Sequence, residues 1–274
     1  MIPFAKAHAC GNDFLIVEDK AMRGRDRAEL TRRLCARNTG IGADGVEFFE
    51  WTGAKAGRIQ LHNADGSVAE ISGNGTRCVA AWMAQELRSK PGDELMIETD
   101  AGVRLCRVNK LHKIGGFTVD VTTAMGIPHF ELRTVRLADG SEIAGVEVST
   151  GNPHFVILVD NAEFAVAGRS WQQIGSEICV HPDFPGQTNV EFARLTRKKA
   201  IEIRIYERGV GPTTSSGTGS SATATATLAL HGRVSPLVVT APGGEQTVEW
   251  KGPGTELWLT GPAALIARGE AWSC

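Results

Sequence analysis

Two stretches of the chain carry the same arrangement of small and polar residues: ISGNGTRCVAAW from Ile71 and SSGTGSSATATA from Ser215. Each sets a serine before a glycine, a small polar residue and a second glycine, then runs on into a segment able to form a helix. Ser72 and Ser216 stand 144 positions apart (216 − 72), about half of the 274 residues. Glycines at the mouth of a helix leave backbone N–H groups directed outward, at the positive end of the helix dipole. Gly73–Gly75 and Gly217–Gly219 are therefore each suited to holding a carboxylate or a phosphate. A lone S-G-x-G reads more simply as a helix cap. A matched pair, one in each half, reads better as two grips on one anionic ligand across a cleft.

Other polar residues gather at turns. Asn12 and Asp13 follow Gly11, Asn63 opens the turn Asn63-Ala64-Asp65-Gly66, Asn152-Pro153-His154 follows Gly151, and Asn189 lies in GQTNVEF. Asparagine suits turns on its own account, so each of these taken alone is an ordinary turn residue. Glu207 and Arg208, in YERGVG, place an anion and a cation just upstream of the second serine turn. Local sequence leaves a carboxylate site and a plain surface ion pair equally open.

The elements that must position these residues follow one grammar twice. FLIVED reads as a strand, and Arg25–Arg37 has apolar residues at helical spacing ahead of the glycine-rich NTGIGADG. GVEFFEW and AGRIQLHNADG follow as a strand pair, Gly75–Leu87 as a helix, and DELMIETDAGVRLCRV as a hairpin broken at Asp100-Ala101-Gly102. In the second half, strands GVEVSTG and HFVILVD precede a helix near SWQQIGSEI; then come TNVEFARL, AIEIRIYERG, a helix over Ser220–His231, and strands LVVTAP, QTVEW and ELWLTG. SSATATATLAL is small-residue-rich, and its place after a glycine turn fits a tightly packed central helix better than a linker. The expected fold is α+β, a duplicated unit in two domains, with the softest boundary at the polar, glycine-bearing NKLHKIGG over Asn109–Gly116. This gives residues 1–115 and 116–261 as the two domains, and leaves open that 262–274 packs back onto the first.

Composition narrows the function. With 42% apolar and 22% charged residues the chain can bury a real core. A net charge of −2, with no basic block longer than Arg197–Lys199, argues against a nucleic-acid partner. No apolar run reaches the roughly 18 residues of a membrane span, and MIPFAKAHACGNDF does not read as a signal peptide. The six cysteines, Cys10, Cys35, Cys78, Cys106, Cys179 and Cys274, lack C-x-x-C spacing and read as free thiols of a cytoplasmic protein. No phosphate-binding loop, dinucleotide fingerprint or metal-ligand cluster stands out, so neither a cofactor nor a metal is expected.

The strings GNDF, GIGADG, NADGSVAEISGNGTRC, GNPHF, TNVEF and ERGVGPTTSSGTGSSA, in this order and spacing, resemble the diaminopimelate epimerases nearly end to end. The resemblance implies a pseudo-symmetric two-domain fold, each domain a curved sheet around a central helix. It implies an isomerase that inverts an α-carbon of diaminopimelate without any cofactor, in lysine and cell-wall precursor synthesis, and a homodimer. By the same resemblance Asn12, Asn63, Asn152 and Asn189 bind or orient the distal end of the substrate, and Glu207 and Arg208 hold the reacting end. The backbone at Gly73-Asn74 and Gly217-Thr218 cradles its carboxylate, while His154 and Glu207 tune the proton affinities of the catalytic pair.

One departure matters. The family places a cysteine before each glycine turn, one to remove the α-proton and one to deliver a proton to the opposite face; this chain has Ser72 and Ser216. Cys78 aligns with a cysteine of the G-N-G-x-R-C tail and does not fill the vacancy. A cysteine, with a reference pKa of roughly 8.5, is brought into useful range by a helix start or a cation. A serine hydroxyl is far less acidic, and a helix dipole supplies only about 0.3–2 kcal/mol. Three explanations stand side by side: a chain altered at both positions, a lineage that activates serine through His154 or Glu207, or a relative with another substrate, a dehydration or an isomerisation. Ser221 also replaces a family cysteine that is not catalytic, which favours natural divergence. From outside the enzymes, a non-catalytic binder of diamino acids would keep the same site.

Overall fold

The computed structural model describes residues 1–22, 24–112 and 116–272. Cys274, and the Lys113–Gly115 part of the expected crossover, lie outside these. The chain divides into two compact units, Met1–Ala124 with Thr260–Cys274, and Met125–Leu259. Four α-helices order them among the described residues: α1 (Arg27–Cys35), α2 (Gly73–Glu86), α3 (Trp171–Cys179) and α4 (Gly217–Leu230).

In the first unit eight strands close on themselves. Ile2–Ala9 pairs with Asn12–Glu18, which runs parallel to Gly45–Gly53; that strand pairs with Ala56–Asn63, which runs parallel to Glu94–Thr99. Gly102–His112 and Phe117–Gly126 continue the sheet, and Leu257–Ala271 pairs with both Phe117–Gly126 and Ile2–Ala9 to complete the ring. Asn109–His112, expected in a polar crossover, instead continues a strand of this barrel.

Alternation along each strand then sorts side chains to two faces. Phe14, Ile16, Phe49, Leu61, Ile97, Val108, Val121 and Ala263 join α2 residues Cys78–Ala84 in one cluster, so α2 fills the barrel. Leu15, Val17, Val46 and Phe48 belong to a second cluster with Leu30, Leu34 and Cys35 of α1, which packs outside. Both faces of these strands are thus buried, as parallel strands with helical crossovers require.

The second unit repeats the plan. Strands His129–Arg136, Glu142–Ser149, Pro153–Val159, Asn189–Arg197, Ala200–Glu207, Leu237–Ala241 and Gly244–Glu249 pair in that order. Ala222, Ala224 and Ala226 of α4 pack among Val146, Val148, Ile201, Ile203 and Val239, while Ile174 and Ile178 of α3 pack with Phe155 and Ile157 on the opposite face. The small residues of α4 let the sheet approach closely. Its buried hydroxyls stay satisfied by bonding carbonyls one turn back: Ser221 to Gly217, Thr223 to Gly219, Thr225 to Ser221 and Thr227 to Thr223, at 2.8–2.9 Å.

Candidate active site

Both serine–glycine turns are helix starts. Ser72 Oγ accepts the Gly75 N–H at 3.0 Å, and Ser216 Oγ accepts the Gly219 N–H at 3.1 Å, each with extended backbone at the serine. Such caps contribute about 1 kcal/mol each. They also explain why α2 and α4 begin at Gly73 and Gly217, ahead of the Gly75 and Ser220 that periodicity suggested. The cap lets the helix start directly after the serine.

In the second unit the turn sits on a buried polar chain. Ser216 Oγ lies 3.3 Å from Thr218 Oγ1, to which Asn152 donates at 3.4 Å. Asn152 Oδ1 lies 2.9 Å from His154 Nε2, and His154 Nδ1 lies 2.8 Å from Glu191 Oε1. His154 and Glu191 are both 0% exposed, so their charges must be settled within this group. An amide oxygen and a carboxyl oxygen thus occupy both ring nitrogens. No ring nitrogen is left for Ser216, so the direct serine–histidine pairing that would activate Ser216 is not formed. Asn189 Oδ1 accepts the Arg208 N–H at 2.9 Å, and Arg208 Nη1 reaches the Gly186 carbonyl at 3.0 Å. Glu207 ends the strand Ala200–Glu207, opposite Gly211.

The first unit arranges its asparagines differently. Asn74 donates to Asn12 Oδ1 at 3.1 Å, and Asn12 donates to Asp44 Oδ2 at 2.6 Å. Arg37 bridges Asp44 and Asp13, and Lys6 also pairs with Asp13. Burial pushes the Asp13 carboxyl up, but Arg37 and Lys6 together hold it below its ordinary value. Asn63 stays within its own turn, donating to Ser67 Oγ at 3.1 Å. Cys78 is fully buried and desolvation holds its thiol far above the usual range, so it offers no thiolate beside Ser72.

Two glutamates that sequence reasoning passed over lie beneath these turns. Glu191 Oε1 stands 2.6 Å from where a Cβ on Gly219 would be, and a Cβ on Gly75 would likewise run into Glu47 Oε1. The second glycine of each turn is thus needed for space. Glu47 is 0% exposed and neither of its oxygens has a hydrogen-bond partner. Burial pushes its carboxyl up to about 8. Strand register gives the reason for the difference. Val156 pairs with Glu191 and His154 with Asn189, whereas Ile16 pairs with Glu47 and Phe14 with Gly45. Phe14 occupies the position that His154 holds in the second unit. The signal available in sequence was spacing, because Glu47 and Glu191 are separated by the same 144 positions (191 − 47) as the serines. Among the described residues no three His, Cys, Asp or Glu side chains gather as a metal site would need.

The sequence profile described as diaminopimelate epimerase matches residues 4–130 and 146–266. The chain belongs to the diaminopimelate epimerase family. It is 36% identical to the diaminopimelate epimerase of Moorella thermoacetica over 97% of this chain and 98% of that one. It is 35% identical to that of Halorhodospira halophila, over 97% and 94% of the two chains. Among solved structures the fold is similar to a hydroxyproline epimerase from Agrobacterium vitis, with a TM-score of 0.73 and 19% identity over 98% of this chain and 91% of that one. It is also similar to a probable proline racemase from Agrobacterium radiobacter, with a TM-score of 0.74 and 17% identity over 99% and 93%. A diaminopimelate epimerase family member of this fold is an isomerase of the epimerase type, and no helix among the described residues is long and apolar enough to cross a membrane.

Proposed function

We propose that this chain epimerises LL-diaminopimelate to meso-diaminopimelate by two-base proton transfer without a cofactor, in lysine and peptidoglycan-precursor biosynthesis, as a cytoplasmic homodimer. Its turnover is held down by Ser72 and Ser216 in the places of two cysteines. The observation that carries the reading is the pair of serine-capped helix starts, each set over a buried glutamate, in a chain matched to the family over nearly its whole length.

On this reading the backbone at Gly73-Asn74 and Gly217-Thr218 holds the substrate carboxylate, drawing charge away from the α-carbon as its proton leaves. Arg208, fixed through its backbone by Asn189, supports the reacting end together with Glu207. Asn12, Asn63, Asn152 and Asn189 bind or orient the distal end. Ser72 and Ser216 stand where the proton is removed and returned. General acid–base catalysis works best when the catalyst titrates near the operating pH, and a serine hydroxyl does not. The His154–Glu191 dyad reaches Ser216 only through an amide and a hydroxyl, so it shapes the local field and does not pass a proton along.

The test is α-hydrogen exchange in heavy water, with diaminopimelate and with proline as substrates. Exchange with inversion of diaminopimelate is expected. Exchange or elimination with another amino acid alone would transfer the reading to a related racemase, dehydratase or isomerase. Binding of diaminopimelate without any exchange would make the chain a binder.

A further inference from the structure

Glu47 is a buried carboxyl at the start of α2 for which the mechanism above has no use. It lies on the inward face of the strand Gly45–Gly53, between the outward-facing Val46 and Phe48, with its carboxyl against Gly75 in the first turn of α2. It is wholly buried and both oxygens lack partners. Its strand neighbours across the sheet, Ile16 and Leu61, are apolar. The ionisable groups around this interior include Arg77 and Cys78 of α2, Asp13 on the strand Asn12–Glu18, Cys10 in the turn before that strand, and Cys106 on the strand Gly102–His112. Arg77 gives its Nη2 to Asn74, not to Glu47.

A carboxyl in this position has two states with opposite consequences. Protonated, it adds no charge beside the helix start, and the positive end of the dipole remains available to an anionic ligand. Ionised, it satisfies that dipole itself and repels a second anion brought to the same turn. Its counterpart Glu191 has the His154 ring as a hydrogen-bond partner, which Phe14 cannot offer.

We propose that Glu47 is a positioning residue: as a neutral acid it keeps the start of α2 able to hold the ligand's carboxylate, and its ionisation closes that anion site. The inference rests on the reading of the site as one for diaminopimelate.

The experiment is calorimetric titration of the full chain and of Glu47→Gln with diaminopimelate, at about pH 6.5 and about pH 9. A group titrating at about 8 is about nine-tenths ionised at pH 9, so the native chain should bind about tenfold more weakly there. Glu47→Gln should bind as the native chain does at the lower pH and show no such loss at the higher one. Changes in the ligand's own ammonium groups affect both chains alike. Glu47→Leu, of similar volume and without a titrating group, provides a second chain with the same expected flat response. Equal pH profiles in native and variant chains would overturn the inference while leaving the functional reading intact. So would a tenfold loss in Glu47→Gln at the lower pH, which would make Glu47 a direct ligand contact. No binding by either chain at the lower pH would overturn the functional reading, and this role of Glu47 with it.

Discussion

At the start of α4 the strand register sets His154 beside Glu191; at the start of α2 the equivalent position beside Glu47 is Phe14. Around the two helix starts the backbone frame is the same. A serine caps the helix, the second glycine makes room for a carboxyl, and a parallel strand presents that carboxyl from below. Among the differences is the side chain that the register sets beside each glutamate, and with it whether the carboxyl finds a polar partner. In the second unit an imidazole hydrogen-bonds the carboxyl. In the first the carboxyl has no partner and burial pushes it up. Duplication has preserved a frame while letting its electrostatics diverge, so the two helix starts are not interchangeable halves of one device.

The comparison breaks first at His154. Replacing it with the residue that the first unit uses, His154→Phe, strands Glu191 and should cost about 3–5 kcal/mol of stability, the usual penalty for leaving one partner of a buried pair uncompensated. Urea unfolding near neutral pH would measure it, and a loss below about 1 kcal/mol would mean that the dyad contributes little.

The reverse change sharpens the account through pH. The folded-state value of Glu47, about 8, lies above the 4.5 of an ordinary glutamate, so the folded chain holds an extra proton between them. Stability should therefore fall as pH rises through that window and level off above it, by a few kcal/mol at most, since one pKa unit is about 1.4 kcal/mol. Phe14→His supplies the missing partner and should flatten this slope, whatever it costs in packing. Unfolding curves at pH values spanning the window check it, and an unchanged slope would mean that Phe14 is not what leaves Glu47 alone.

The smallest effects belong to the glycines. An alanine inside a helix is normally favoured over glycine by about 1 kcal/mol. Gly75→Ala and Gly219→Ala should nevertheless destabilise, by about 1–3 kcal/mol, because the new methyl meets a glutamate carboxyl. A stabilised variant in thermal melts would show that the carboxyl moves aside freely.

Much of this frame was legible in sequence, and the parts that were not share a cause. The twin turns, the central helices and the polar residues at Asn12, Asn152 and His154 stand out because glycine, asparagine and proline punctuate the chain locally. Glu47 and Glu191 did not, since GVEFFEW and TNVEFARL look like strands with a solvent-facing acid. With α1 outside and α2 inside, both faces of Gly45–Gly53 are apolar, so alternation alone cannot tell which face Glu47 takes. That the last residues pack back onto the first domain was left open from sequence, but the pairing that closes the ring was not legible, because it joins residues more than 250 positions apart, such as Ile2 and Ala271. Periodicity carries no information at that range. The repeated grammar of the two halves already gave the duplicated plan, and the family resemblance added a curved sheet around each central helix.

The central claim is that the scaffold of an epimerase is intact here and that only its acid–base pair is altered at Ser72 and Ser216. Its most direct test compares diaminopimelate inversion and α-hydrogen exchange in the native chain with the chain carrying Ser72→Cys and Ser216→Cys together. A well-matched acid or base is worth about 10²–10⁴-fold, and groups that act as a unit respond far less to single changes than to both. The doubly substituted chain should therefore turn over at least about a hundredfold faster than the native one, with each single substitution well below it. Equal epimerase rates in the native and doubly substituted chains would place the moving proton elsewhere and contradict the account.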